Sequence, residues 1–399
     1  MAHIAINHNL VAGKAAELAE LCPFGAIELD NGKLEISAGC RMCRLCIKKG
    51  GGVFELVEDT PQKQIDKSLW QGIAVIAEIE NGNIHPVTFE LLGKARELAA
   101  KVNFKVYALM IGDHISEQGA KLIEYGADEL FVYDQPELKY FRIEPYTAVV
   151  EDFINQVHPS SILVGGTPAG RSLAPRVAAR FRTGLTADCT KLDISPETDL
   201  DQIRPAYGGN IMAHINTPRH RPQFATVRYK IFSIPQQRSA DSGVIRQCRL
   251  PEDKLHSAIT VTATQDKSME SGIEDAEVLV VAGRGVQKPE DLEMLRELAE
   301  LLGGQLASTR ALVEAGWCDA KRQIGLSGRT VKPKLLIACG VSGAIQFAAG
   351  MNNSEKIIAV NNDPEAPIFN IAHIGIHGDL YRIIPELIRQ IKEAKNHRG

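Results

Sequence analysis

From residue 73 onward the chain alternates short, continuous apolar runs with longer amphipathic ones. IAVIAEI (73–79), KVYALMIG (105–112), DELFVYD (128–134) and SSILVGG (160–166) have strand length, with apolar residues on both faces, as strands covered on both sides require. Between them FELLGKARELAAKV (89–102), SEQGAKLIEYG and EPYTAVVEDFINQV carry the 3.6-residue period of helices packed by one face. This βα alternation predicts a largely parallel sheet. From 186 to about 235 the pattern turns strand-like, in TADCTKLDI, QIRPAYG, NIMAHIN and QFATVRYKIFSI. The polar, weakly patterned residues from about 236 to 275 predict a linker, and EVLVVAG (277–283) opens a second α/β series. Its helix, PEDLEMLRELAELLGG, has Pro289 in the first turn and Glu290 and Asp291 at the positive end. Gly303 and Gly304 stop it, and Leu292, Leu295, Leu298 and Leu302 form its apolar stripe. KLLIAC (334–339), KIIAVN (356–361) and a closing helix LYRIIPELIRQIKEA complete the series.

A chain of 399 residues exceeds one compact domain. The predicted fold class is α/β: a small α+β module over 1–62, then two doubly wound α/β domains over 63–265 and 270–399. A net charge of −4 gives no hint of a nucleic-acid partner or an anionic membrane. No apolar run is long enough to span a bilayer, and MAHIAINHNL lacks the basic and apolar regions of a signal peptide, so the expected location is cytoplasmic. Of eight cysteines, four lie in the first 46 residues, which fits thiolate metal ligation better than a disulfide scaffold.

Those four define the first module. Cys40, Cys43 and Cys46 stand at C-x2-C-x2-C spacing, but Gly50 occupies the place of a fourth ligand. In bacterial two-cluster ferredoxins the run C-x2-C-x2-C-x3-C-P occurs twice, and each fourth cysteine serves the other run's cluster. Cys22-Pro23 is the end of the other run, whose remaining positions are Ala12, Ala15 and Leu18; VFEL (53–56) echoes AIEL (26–29). One ligand set (12, 15, 18, 50) is lost entirely. The other (Cys22, Cys40, Cys43, Cys46) is kept entirely, which predicts a ferredoxin-like module holding one [4Fe–4S] cluster. The competing readings are a zinc site, which favours two separated cysteine pairs, and a free-thiol loop. Arg41, Arg44, Lys48 and Lys49 are read as solvated surface charges, with an influence on the cluster potential as the alternative.

In the last domain, four stretches follow strands where open α/β sheets bind ligands: GRGV (283–286), STRALVEAG (308–316), GVSGAIQFAAG (340–350) and NNDPEAPIF (361–369). Gly340, Ser342 and Gly343 are expected to leave backbone N–H groups free at a helix N-terminus, a seat for a pyrophosphate. The residues alone predict a dinucleotide or flavin nucleotide, against the alternative of ordinary tight turns.

QIGLSGR, GVSGAIQFAAGM and NNDPEAPIFNIAHIGIHGDL resemble the FAD domain of electron-transfer flavoprotein α subunits, and the resemblance runs from about residue 70 to the end. GTPAGRSLAPRVAARFRTGLTADCT and RPAYGGNIMAHI resemble the Fix-type and electron-bifurcating branch. The N-terminal module is similar to α subunits of caffeyl-CoA reductase and NAD-dependent lactate dehydrogenase complexes. The resemblance implies FAD contacts at Arg284, at Thr309 and Arg310, at Ile324, Gly325, Leu326 and Ser327, at Ser342, Gly343, Ala344, Ile345, Gln346 and Phe347, and at Asn361, Asp379 and Leu380. Ser327 keeps the hydroxyl expected near flavin N5. Leu326 replaces a usual glutamine, and Phe347 stands where many members have histidine. Arg171 is read either as facing a partner subunit's FAD or as a surface arginine.

The resemblance implies a chain that pairs with a β subunit. NADH would reduce that subunit's FAD; one electron would go to ferredoxin and the other, through this chain's FAD, to an acyl-CoA dehydrogenase-type flavoprotein acting as an enoyl-CoA reductase. The alternatives are the same subunit in a lactate dehydrogenase complex, a non-bifurcating carrier, and a nucleotide-binding interaction protein with structural zinc.

Overall fold

The computed structural model describes residues 2–11, 13–30, 32–37, 39–58, 65–80, 82–206, 211–238, 243–264 and 272–396. They fall into two compact units, Met1–Ile65 and Asp66–Gly399.

The first unit runs strand–helix–strand twice: β1 (Ala2–Ile6), α1 (Ala15–Ala19), β2 (Ile27–Asp30), then β3 (Lys33–Ile36), α2 (Leu45–Lys49), β4 (Phe54–Glu58). β1 pairs antiparallel with β4, and β2 with β3. The echoed segments take equivalent places. Ala26 and Ile27 enter β2 buried, as Val53 and Phe54 enter β4. Among the described residues, the positions that lack cysteine are packed with protein. Leu18 and Phe54 are core residues, Ala15 packs against that core, and a Cβ on Gly50 would stand 2.4 Å from the Phe54 ring. Ala12 lies outside the described residues.

The second unit has two lobes. In the first, β5 (Ile73–Ile76), β8 (Val106–Gly112), β9 (Glu129–Asp134), β10 (Ser161–Gly165), β11 (Leu185–Cys189), β15 (Gln223–Val227) and β16 (Val244–Cys248) form one sheet in the order β11-β15-β10-β5-β8-β9-β16. All its pairings are parallel. Helices α3 (Pro86–Val102), α4 (Gly119–Glu124), α5 (Ile143–Val157) and α6 (Pro168–Arg180) cover its two faces. Asn103 and His158 end α3 and α5 in the left-handed conformation. A hairpin, β6 (Ile79–Glu80) with β7 (Asn83–Ile84), precedes α3. An antiparallel sheet, β12 (Lys191–Ile194), β13 (Leu200–Ala206), β14 (Ile211–Ile215), follows β11. Arg221, 3 % exposed, is held here by Asp199 at 2.7 Å, Ser160 at 3.1 Å and two backbone carbonyls.

Two sequence expectations change. Residues 244–248, read as linker, form β16 at the sheet edge beside β9. Their side chains are mostly exposed, so no buried-face pattern marks them. The run QFATVRYKIFSI is a strand only to Val227; after it, residues 228–238 form a strap of turns and extended chain.

The second lobe is a parallel sheet of β17 (Val278–Ala282), β18 (Gln305–Ser308), β19 (Leu335–Cys339), β20 (Lys356–Asn361) and β21 (Ile374–His377), ordered β18-β17-β19-β20-β21. α7 (Leu292–Leu301) and α10 (Leu380–Asn396) pack on one face through Leu292, Leu295, Leu298, Ile384 and Ile388. Gly303 stops α7 at φ +68°. Short helices α8 (Arg310–Glu314) and α9 (Ile345–Ala348) follow β18 and β19.

Candidate functional site

The order of the second lobe reverses between β17 and β19, and ligands of open α/β sheets sit beyond the strand ends at such a reversal. There the two exit loops touch through glycine. Gly283 N–H donates to Cys339 O at 2.9 Å, and Gly285 N–H to Gly340 O at 2.9 Å. A Cβ on Gly283 would stand 2.3 Å from Gly340 O, and one on Gly285 would stand 2.8 Å from Gly340 Cα. Gly340 takes φ +63°. Arg284 projects from this junction, exposed.

The adjoining loops are fixed by backbone contacts. Asn361, at the end of β20, donates from Nδ2 to Val341 O at 2.8 Å and accepts Asp363 N–H at 3.0 Å, so its amide holds the loop itself. Gly343, at φ +86°, lies so near Ile368 that a Cβ would meet its nitrogen at 2.2 Å. Ser342, Ala344, Ile345 and Gln346 are exposed, whereas Phe347 is buried in the core of the lobe. The expected helix at Gly340 begins only at Ile345 and makes one turn, because the left-handed glycines at 340 and 343 hold the preceding residues out of helix.

The 323–329 loop lies against this turn. Leu326 N–H donates to Gln346 O at 2.8 Å, and Gly325, at φ +136°, has room for no Cβ beside Gln346 O. Ile324 is buried, and Gln323 Nε2 donates to Ser327 Oγ at 2.9 Å. Thr309 precedes α8 without a side-chain capping hydrogen bond, and exposed Arg310 pairs with Glu314 at 2.8 Å. Beside them Ser308 Oγ is buried with no hydrogen-bond partner. Asp379 accepts Tyr381 N–H at 3.0 Å, and Leu380 is buried under Gly340. A side-chain-free glycine junction, the exposed residues 342 and 344–346 and two exposed arginines fit an anionic dinucleotide.

Cys22, Cys40, Cys43 and Cys46 of the first unit line one pocket, together with Ile4 and Phe24 among others. Burial acts to raise the Cys22 thiol, but the N–H groups of Ala26, Phe24, Ile27 and Gly25 outweigh it and bring it below its ordinary value. The Ala26 N–H lies 3.3 Å from Cys22 Sγ. Burial pushes Cys46 up, against the backbone N–H groups of Ile47 and Cys46 itself, and Cys40 and Cys43 add to the rise. Arg41 lies over the Phe24 ring at 4.6 Å. Among the described residues no three His, Cys, Asp or Glu side chains are gathered to hold a single metal ion.

Residues 73–253 match the electron transfer flavoprotein domain, and residues 272–352 match the electron transfer flavoprotein FAD-binding domain. A subunit LctC of an NAD(+),ferredoxin lactate dehydrogenase from Acetobacterium woodii is 56% identical over 393 residues, 98% of this chain and 94% of that protein. The chain belongs to the electron transfer flavoprotein α family. Protein FixB of Clostridium saccharobutylicum is 44% identical over 81% of this chain and 97% of its own. The acryloyl-CoA reductase electron transfer subunit beta of Anaerotignum propionicum is 37% identical over 83% of this chain and 98% of its own. As in this family, the second lobe is an FAD-binding domain.

The sequence reading missed a cleft between the lobes of this electron transfer flavoprotein chain. Asp188, Thr190, Arg204 and Arg228 of the first lobe face Gly325, Leu326, Thr330 and Ala349 of the second. Asp188 takes φ +57° where β11 breaks register, and its carboxylate accepts from Arg171 at 2.8 Å and Arg228 at 2.9 Å. Burial works against its charge, but the two guanidinium groups win and hold it below its usual range. Arg171 is thus tied to one oxygen of a partly buried carboxylate, 47 % exposed itself. Arg228 Nε and Thr190 Oγ1 in the cleft are buried without partners. No helix is long and apolar enough to cross a membrane among the described residues.

Proposed function

We propose that this electron transfer flavoprotein α chain is a two-cofactor conductor in an NAD- and ferredoxin-linked dehydrogenase complex. Arg284, Thr309 and Arg310, the 324–327 loop, Ser342–Gln346 and Asp379 hold FAD. Cys22, Cys40, Cys43 and Cys46 hold one [4Fe–4S] cluster. FAD supplies two-electron and one-electron chemistry when bound, and the cluster supplies one-electron chemistry. The chain's own work is binding and orientation. The glycine junction admits the pyrophosphate backbone, Arg284 and Arg310 offset its charge, and the N–H groups around Cys22 favour a thiolate. A β subunit would carry the second FAD and exchange electrons with the NAD couple, and ferredoxin would exchange electrons through the cysteine module.

The observation that carries this reading is the pocket of four cysteines in a unit whose other ligand positions are filled by Leu18 and by the Gly50–Phe54 contact. The 98% alignment with the LctC subunit extends through that unit, while relatives aligned over 81–83% of the chain leave a fifth of it unmatched. The substrate side has two supports. Identity to the lactate dehydrogenase subunit favours a 2-hydroxy-acid dehydrogenase as partner, and identity to the acryloyl-CoA reductase subunit favours an acyl-CoA dehydrogenase-type enzyme working as an enoyl-CoA reductase. The complex, purified anaerobically with its partners, separates them. NAD reduction by lactate that requires reduced ferredoxin supports the first; ferredoxin reduction by NADH that requires an enoyl-CoA supports the second. Electron transfer to the dehydrogenase with no ferredoxin dependence in either assay contradicts the proposal and leaves a plain carrier.

A further inference from the structure

Glu90 is a buried carboxyl group that neither cofactor site uses. It lies on α3, 3 % exposed, and both its oxygens face the Lys230 N–H, at 3.0 and 3.2 Å. Phe232 N–H also donates to it. These two donors belong to the strap that leads from the first lobe toward the second. The strap is fitted closely to α3. A Cβ on Gly93 would stand 2.9 Å from Pro235 Cδ, and Lys94 Nζ lies 5.3 Å from the Phe232 ring. Tyr229, Ile231 and Phe232 pack against the first lobe's core. The same strap grips the FAD lobe. Ser233 Oγ accepts from Lys332 at 2.8 Å, Tyr229 OH donates to Asp275 at 3.0 Å, and Lys230 pairs with Asp275 at 3.4 Å.

We propose that Glu90 is a proton-operated fastener for this strap: protonated, it keeps residues 229–235 docked on α3, and ionised, it favours their release, freeing the FAD lobe to move against the first lobe. Buried carboxylates need paired charge to stay ionised. The charged groups that face Glu90 are Lys230 on the strap and Lys332 on the FAD lobe. Lys94, one turn along α3, is paired with Glu97 at 2.9 Å, and Tyr229 and Asp275 lie beyond Lys230. Burial outweighs the two N–H donors and both lysines, and pushes Glu90 from 4.5 up to about 7. A released strap would return the carboxyl to water and its ordinary value. The docked form therefore binds the proton more tightly, and acid favours docking. Raising the pH from 4.5 to about 7 weakens docking by up to roughly a hundredfold, with no further loss above that.

The test is amide hydrogen exchange on the full, FAD-loaded chain between about pH 5 and 8, for wild type and Glu90→Gln. Protection of the 229–235 amides, corrected for intrinsic exchange, falls at least roughly tenfold between about pH 5 and 7 in wild type and then levels. In Glu90→Gln, which stays neutral, it does not change. Protection that is flat in wild type, or that rises with pH, overturns the proposal. Should Glu90→Gln not fold, Gly93→Ala provides a second test by pushing Pro235 off α3. It lowers strap protection at about pH 5 to the wild-type value at about pH 8, and unchanged protection overturns the proposal.

Discussion

Gly50 and Phe54 share one site: the space a side chain would need at residue 50 is occupied by the Phe54 ring, 2.4 Å from the ideal Cβ position, and Cys46 O lies 2.6 Å from the same point. The glycine in the place of a ferredoxin ligand is thus a packing requirement of the module. Gly50→Ala should destabilise residues 1–65 by about 1–3 kcal/mol, the usual cost of overfilling a core. Denaturant unfolding followed through a probe in that unit checks it. A mutant as stable as wild type would mean the ring moves aside freely.

The glycine junction of the FAD lobe gives a parallel prediction with a different readout. Gly283→Ala puts a methyl group 2.3 Å from Gly340 O and must separate the loops after β17 and β19. FAD affinity should fall by more than tenfold, a loss of about 1.4 kcal/mol or more, while the metal content of the sample stays that of the wild type. Flavin content after dialysis and iron content of the same sample distinguish this from general unfolding.

How far these sites could be read from the chain depends on how local their determinants are. The spacing of the four cysteines is legible in the chain because a repeat leaves its own ruler, and all four line one pocket. Strands β17, β19 and β20 were plain because both faces are buried and the runs are continuous. β16 was hidden because an exposed edge strand carries no apolar alternation. The partnership of Arg171 with Asp188 was illegible because a break in the register of β11 aims that carboxylate. The fitting of the strap to Glu90 depends on a contact 140 residues apart in sequence.

Asp199 and Arg221 form the most deeply buried ion pair of the first lobe, with the Arg221 side chain fully enclosed. Lys67 holds the other carboxylate oxygen at 2.7 Å. Asp199→Ala leaves a guanidinium without a counter-charge in the interior and should destabilise the second unit by about 3–5 kcal/mol. Lys67→Ala removes only the half-exposed partner and should cost about 1 kcal/mol or less. Thermal unfolding of the two variants side by side tests the ranking.

Asp188 sets an acid limit. Its folded pKa lies below the unfolded value, because Arg228 and Arg171 overcome the cost of burial. Its contribution is therefore fully present above the unfolded carboxylate range, near pH 4, and is lost as pH falls through the folded value. Asp188→Asn should cost about 1–3 kcal/mol at neutral pH, and the two stability curves should converge in acid. Parallel curves down to about pH 2 would show that the pair of arginines does not depend on this charge.

The proposed function requires one cuboidal cluster and one FAD on one chain. It is tested most directly by iron, acid-labile sulfide, zinc and flavin analysis of the anaerobically purified chain, beside a Cys22→Ala variant. The account predicts about four iron and four sulfide per chain with one FAD, and loss of the iron but not of the flavin in the variant. Zinc in place of iron, or iron content unchanged by Cys22→Ala, would contradict it.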